Sequence, residues 1–159
     1  MRITFEPIGY VRTKYSDEEI KELGFVDAEI VVFDEYVEGL KGIEEYSHII
    51  IVYYMHRVSD NCKRVLKVKP RGLARRYGIS LDKLPELGVF ATASPCRPNP
   101  IGITVVKLLS VEKNVLRVRG LDAFNETPVL DIKPYTEDKC VREFKLPRWI
   151  EELQRRQDA

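Results

Sequence analysis

Three prolines within six residues enclose an arginine and an asparagine in the segment Ser94-Pro95-Cys96-Arg97-Pro98-Asn99-Pro100-Ile101-Gly102. Each proline fixes its own φ at about −65° and biases the residue before it toward an extended conformation. Arg97 and Asn99 therefore have little backbone freedom left to lose when they grip a ligand, and pre-ordering of a cation and an amide favours binding. The same pattern also serves a proline-stiffened hairpin turn. Other candidate chemistry lies at His56-Arg57, where a polar pair ends the most apolar run of the chain, and at Asp122 and Asp131, which flank a turn.

The elements that must position these residues read mostly as strands. Residues 89–92 and 103–109 flank the proline segment as two apolar runs rich in β-formers, which predicts buried strands. Residues 3–12 predict an edge strand, because Pro7 would remove a ladder donor from a central one. Residues 14–24 are charged and carry a helical turn with Ser16 as N-cap. A strand follows at 27–33. Residues 49–55 are seven without a charge, a central strand buried on both faces or crossing a barrel core. A further strand covers 115–118 with Gly120-Leu121, then a turn at 125–128 and a short strand at 129–132. Residues 146–157 read as a short amphipathic helix or a dimer element. Many short strands and few helices predict a mainly β fold, an antiparallel barrel or sandwich. A barrel domain over 1–138 with a helical extension over 139–159 is the expected division.

The chain has 159 residues, 44% of them hydrophobic and 32% charged, with a net charge of +1, so no global preference for nucleic acid or membrane exists. Local clustering does exist. Residues 63–76 hold seven Lys or Arg and no acid. An extended segment followed by a Pro70-Arg71-Gly72 turn would there present Lys67, Lys69, Arg71, Arg75 and Arg76 to phosphates, or form a solvated face. Cys62, Cys96 and Cys140 are odd in number without a C-x-x-C pair, which predicts reduced thiols and no zinc site. Two separated histidines predict no metal centre. No apolar run of transmembrane length and no signal-peptide core is present, which predicts a cytoplasmic protein with no membrane partner. Dinucleotide, phosphate-loop and serine-hydrolase signatures are absent.

Two long motifs carry a resemblance. ATASPCRPNPIGITVVKLL is similar to the pattern ATRSPxRPNPIGxSxVxLL, and GLDAFNETPVLDIKPY to GLDxxDGTPVLDIKPY. Both belong to the TsaA-like family of tRNA methyltransferases, which methylate N6 of threonylcarbamoyladenosine beside the anticodon. The resemblance implies a small antiparallel β-barrel that binds S-adenosyl-L-methionine without a Rossmann domain and acts on tRNA as a homodimer. By motif position it implies cofactor contacts at His56, Arg57, Ala93, Ile103, Asp122, Ala123, Phe124 and Asn125. Ala93 stands where the family has arginine, Asn125-Glu126 replaces Asp-Gly, and a Pro-Arg-Gln segment of bacterial members is missing. For methyl transfer, Asn99 would accept a hydrogen bond from the N–H being methylated. Arg97 would hold a carboxylate of the cofactor or of the threonyl group, and Asp131 would accept the released proton. A small-molecule methyltransferase and a non-catalytic cofactor-binding module are the alternatives. Affinity for tRNA discriminates the first and affinity for the cofactor the second.

Overall fold

The computed structural model describes residues 1–158. The elements run β1 Gly9–Arg12, α1 Asp17–Leu23, β2 Val26–Val32, β3 His48–Tyr54, α2 Asp60–Lys63, β4 Lys67–Val68, α3 Arg71–Tyr77, β5 Leu87–Gly88, β6 Ile101–Glu112, β7 Val115–Leu121, β8 Pro128–Pro134 and α4 Arg148–Asp158. The order β1-β2-β7-β6-β3-β8 closes a barrel, and every pairing in it is antiparallel. The expected antiparallel barrel is therefore present. Two compact units divide the chain, the barrel unit Met1–Val65 with Pro95–Tyr135, and a second made of Leu66–Ser94 and the residues from Thr136 onward.

Alternation builds the barrel interior. Ile49, Ile51 and Tyr53 of β3 are buried while Ile50, Val52 and Tyr54 between them are not, so β3 has one buried face and not two. Ile30, Leu116, Val118 and Val129 fill the same core, each contributing roughly 1.5–3 kcal/mol of transfer free energy. β6 alternates likewise: Gly102, Thr104 and Val106 are buried, whereas Ile103 is 68% exposed. The run 103–109 is thus a strand with a bare outer face, because nothing in the barrel unit covers it.

Several expectations are corrected. β1 is short and internal, since a closed barrel leaves no edge and pairing starts just after Pro7. Gly9 permits the closure: a Cβ there would sit 2.2 Å from the Val31 carbonyl oxygen. The apolar run 89–92 is not a strand but a 3-10 turn over Val89–Ala91, because both the Thr92 amide (3.2 Å) and its hydroxyl (2.9 Å) donate to the Val89 carbonyl. The basic run is not extended into a turn either. Pro70-Arg71-Gly72 starts α3, where the Pro70 carbonyl accepts from Leu73 (3.0 Å) and Ala74 (3.1 Å), and Gly78 ends it in the left-handed conformation. The N-cap at Ser16 is present as a full capping box with Glu19.

The cysteines overturn another expectation. Cys62 and Cys96 form a disulfide with a Cα–Cα distance of 4.7 Å, tying α2 to the proline segment, and Cys140 is exposed. Their separation of 34 residues hides the pair from spacing rules. Closing a loop of that length stabilises by about 3–4 kcal/mol on the chain-entropy account. Denaturant titration with and without reductant is expected to show that loss on reduction; coincident midpoints contradict it.

Candidate active site

One rim of the barrel gathers the ends of β1, β3 and β7 and the starts of β2, β6 and β8, as the antiparallel registers require. The proline segment enters this rim. The Met55 amide, just past β3, donates to the Pro100 carbonyl at 2.8 Å, and the Ile101 amide donates to the Asn99 carbonyl at 2.7 Å. With the Cys62–Cys96 bond, these contacts fix the segment through its backbone. The Asn99 side chain is left exposed and without a protein partner among the described residues, and Arg97 is half-buried.

His56 and Arg57 follow directly on β3. Arg57 pairs with Asp17 of α1, its Nη2 donates to the Asn125 carbonyl at 3.5 Å, and its guanidinium lies 5.8 Å from the centre of the Phe124 ring. Its Nε donates to His56 Nε2 at 3.4 Å. Burial, and next the Arg57 charge, lower the His56 pKa below its usual 6.5, while Asp17 and Glu126 act in the opposite sense. A neutral imidazole that accepts at Nε2 carries its proton on Nδ1. That Nδ1 is buried with no partner among the described residues, so the rim holds an unsatisfied donor, a costly feature in the absence of a ligand.

β7 ends in Asp122 and the turn 123–126. Ala123 is buried, the Asn125 side-chain oxygen accepts from the Thr13 amide at 3.0 Å, and the Glu126 amide donates to the Val11 carbonyl at 2.7 Å. Glu126 has φ 64°, the left-handed region that favours glycine, and the TsaA-like pattern has glycine there. Asp122 is exposed, yet its Oδ1 is anchored from inside the barrel. The Tyr53 hydroxyl donates to it at 2.7 Å and the Thr104 hydroxyl at 2.6 Å. Burial, and next the Asp122 charge, push the Tyr53 pKa up, so the phenol remains a donor.

The structure thus brings His56, Arg57, Phe124 and Asn125 into one contact network, with Asp122 and buried Ala123 opening the same turn and Arg97 and Asn99 on the segment docked beside β3. Within the barrel unit, Ile103 and Asp131 lie outside that network. Ile103 faces outward opposite Val52. Asp131 on β8 pairs with Lys133 at 2.9 Å, accepts from the Ile132 amide at 2.9 Å, and lines a separate cleft with Ile8, Tyr36 and Leu40. Ala93, exposed, belongs to the second unit, as do Lys67, Lys69, Arg71, Arg75 and Arg76. Sequence reasoning missed Tyr53, Thr104 and Asp17. Period-2 counting from Gly102 would have put Thr104 inward; nothing in the sequence signals Asp17.

Residues 21–139 match the family described as the tRNA-methyltransferase O N-terminal domain. A probable S-adenosyl-L-methionine-binding protein of Pyrococcus abyssi is 40% identical over 156 residues, 95% of this chain and 78% of that protein. The tRNA (adenine(37)-N6)-methyltransferase of Mus musculus is 39% identical over 107 residues, 67% of this chain but 22% of that protein. Among solved structures, TrmO of Pseudomonas aeruginosa superposes with a TM-score of 0.68 at 27% identity, covering 94% of this chain. The chain spans 62% of the length of that structure.

Proposed function

The chain belongs to the family of the tRNA-methyltransferase O N-terminal domain, and from that premise we propose that it methylates N6 of threonylcarbamoyladenosine next to the anticodon of a tRNA, with S-adenosyl-L-methionine as donor. The observation that carries the reading is a complementary pair of unmet groups at one rim. His56 Nδ1 is a buried donor without an acceptor, and Asp122 Oδ2 is an acceptor without a donor among the described residues. The cofactor offers ring nitrogens and a carboxylate to the first and positive charge or hydroxyls to the second, so the residues fit it. The likeness to proteins described as binding S-adenosyl-L-methionine supports the same reading. When bound, the cofactor supplies an electrophilic methyl on a sulfonium sulfur.

The chain's own residues supply position. Asn99, its backbone locked between Pro98 and Pro100, accepts a hydrogen bond from the N6–H and so turns the nitrogen lone pair toward the methyl. Arg97 takes a carboxylate, of the cofactor or of the threonyl group, with the forked geometry that lysine lacks. Asp131, held by Lys133, has no part assigned. Exposed Ile103, Val105 and Leu109 give β6 a bare apolar outer face, which supports a homodimer. A tRNA acceptor places the work in the cytoplasm.

Phosphate contacts fall to the basic residues of β4 and α3. Lys67, Arg71 and Arg76 are exposed there, and Lys69 donates to the Asp82 carbonyl at 3.3 Å. The double variant R71E/R76E is expected to weaken tRNA binding and to reduce the slope of log affinity against log salt by roughly two. Unchanged affinity and slope make the patch a solvated face. Calorimetry with S-adenosyl-L-methionine tests the cofactor directly: one saturable site per protomer is expected, and no heat of binding overturns the reading.

A further inference from the structure

Acidic side chains near the rim differ in what holds them. Asp27 binds Arg119, Glu29 binds Arg12 and Arg117, and Asp17 binds Arg57. Asp122 instead holds two neutral hydroxyls on one oxygen. Each hydroxyl has one proton, and both are directed to Oδ1, so the carboxylate is fixed in rotation while no cation among the described residues pairs with it. Tyr53 and Thr104 are themselves buried on paired strands, which makes the anchor rigid. Gly102 completes the device. A Cβ there would lie 2.3 Å from the Tyr53 ring, so only glycine lets that ring cross β6 and reach Asp122.

An oriented carboxylate with no cation of its own suits a ligand that brings one. The amino-acid tail of S-adenosyl-L-methionine is a zwitterion without net charge, and the remaining positive charge is that of the sulfonium. Transfer of the methyl removes it, because the product S-adenosyl-L-homocysteine is a neutral thioether. Resting on the reading that the cofactor binds at this rim, we propose that Tyr53 and Thr104 are positioning residues that aim Asp122 Oδ2 at the sulfonium. The site thereby prefers the charged donor over the spent product. Attraction at a solvent-facing rim is damped by water and salt, which sets the preference at about tenfold and not thousands.

Calorimetry with both ligands, S-adenosyl-L-methionine and S-adenosyl-L-homocysteine, decides it. The unaltered protein is expected to bind the donor about tenfold more tightly than the product. D122N is expected to bring that ratio close to one, mainly by weakening the donor, and Y53F and T104V to lower it part of the way. T104S, which keeps the hydroxyl, restores the ratio lost in T104V. A structural defect lowers affinity for both ligands alike and leaves the ratio intact, so the ratio separates aim from folding. Should Y53F fail to fold, D122N carries the decision, being an isosteric change at an exposed side chain. Equal weakening of both ligands in D122N overturns the proposal, since the carboxylate then serves the ribose or the ammonium that the two share. Absence of donor binding to the unaltered protein overturns the reading of the rim as a cofactor site, a result distinct from an unchanged ratio.

Discussion

Asn99→Ala is expected to lower methyl-transfer turnover by about 10²–10³-fold while S-adenosyl-L-methionine affinity stays within a few-fold. The Asn99 carboxamide makes no hydrogen bond among the described residues, and the segment is held by its backbone, through the Ile101 amide on the Asn99 carbonyl and the Met55 amide on the Pro100 carbonyl. Removing the side chain therefore leaves the loop in place and subtracts only what it does to a ligand. An acceptor that orients the attacking nitrogen acts in the transition state, so its loss falls on turnover and little on cofactor binding. Single-turnover transfer of a labelled methyl, with calorimetry on the same preparation, reads both quantities. A variant that transfers at the unaltered rate removes Asn99 from the reaction.

Gly102→Ala carries the second large effect, and it strikes fold and site together. The new methyl would lie 2.3 Å from Cε2 and Cζ of Tyr53, well inside van der Waals contact, and the ring cannot yield freely because it is buried and tied to Asp122. Overpacking of this kind costs about 1–3 kcal/mol of stability. Displacing the phenol also takes away one of the two hydroxyls that hold Asp122, so donor affinity is expected to fall more than product affinity. Denaturant titration of Gly102→Ala in the natural background and in a Tyr53→Ala background checks the cause. The cost is expected to shrink sharply when the ring is gone; full additivity means that the contact is not its source.

How much of this was legible in the sequence depends on what each residue advertises locally. Apolar runs marked β3 and β6 as strands, and the turn chemistry of 125–128 and the Ser16 cap announced themselves through local hydrogen bonding. The inward face of β6 was harder, because Ile103 and Val105 outside are as apolar as Val106 inside. Ile103 was named by its motif position alone, and Thr104, the residue that reaches Asp122, was not named at all. Val89-Phe90-Ala91-Thr92 has strand composition, but a threonine hydroxyl bonding back three residues outweighs propensity. Pairings distant in sequence, Cys62 with Cys96 and Asp17 with Arg57, leave no local trace because closure of the barrel and docking of the proline segment create them. The rim itself was foreseeable through two motifs, whose residues meet only once antiparallel strands bring β3, β6 and β7 to a common end.

The most direct measurement is mass spectrometry of nucleosides from tRNA that carries threonylcarbamoyladenosine, incubated with the protein and S-adenosyl-L-methionine bearing a deuterated methyl. The account predicts that this nucleoside gains one labelled methyl on N6, only when protein and cofactor are both present. Unlabelled threonylcarbamoyladenosine, or label on a different nucleoside, contradicts it.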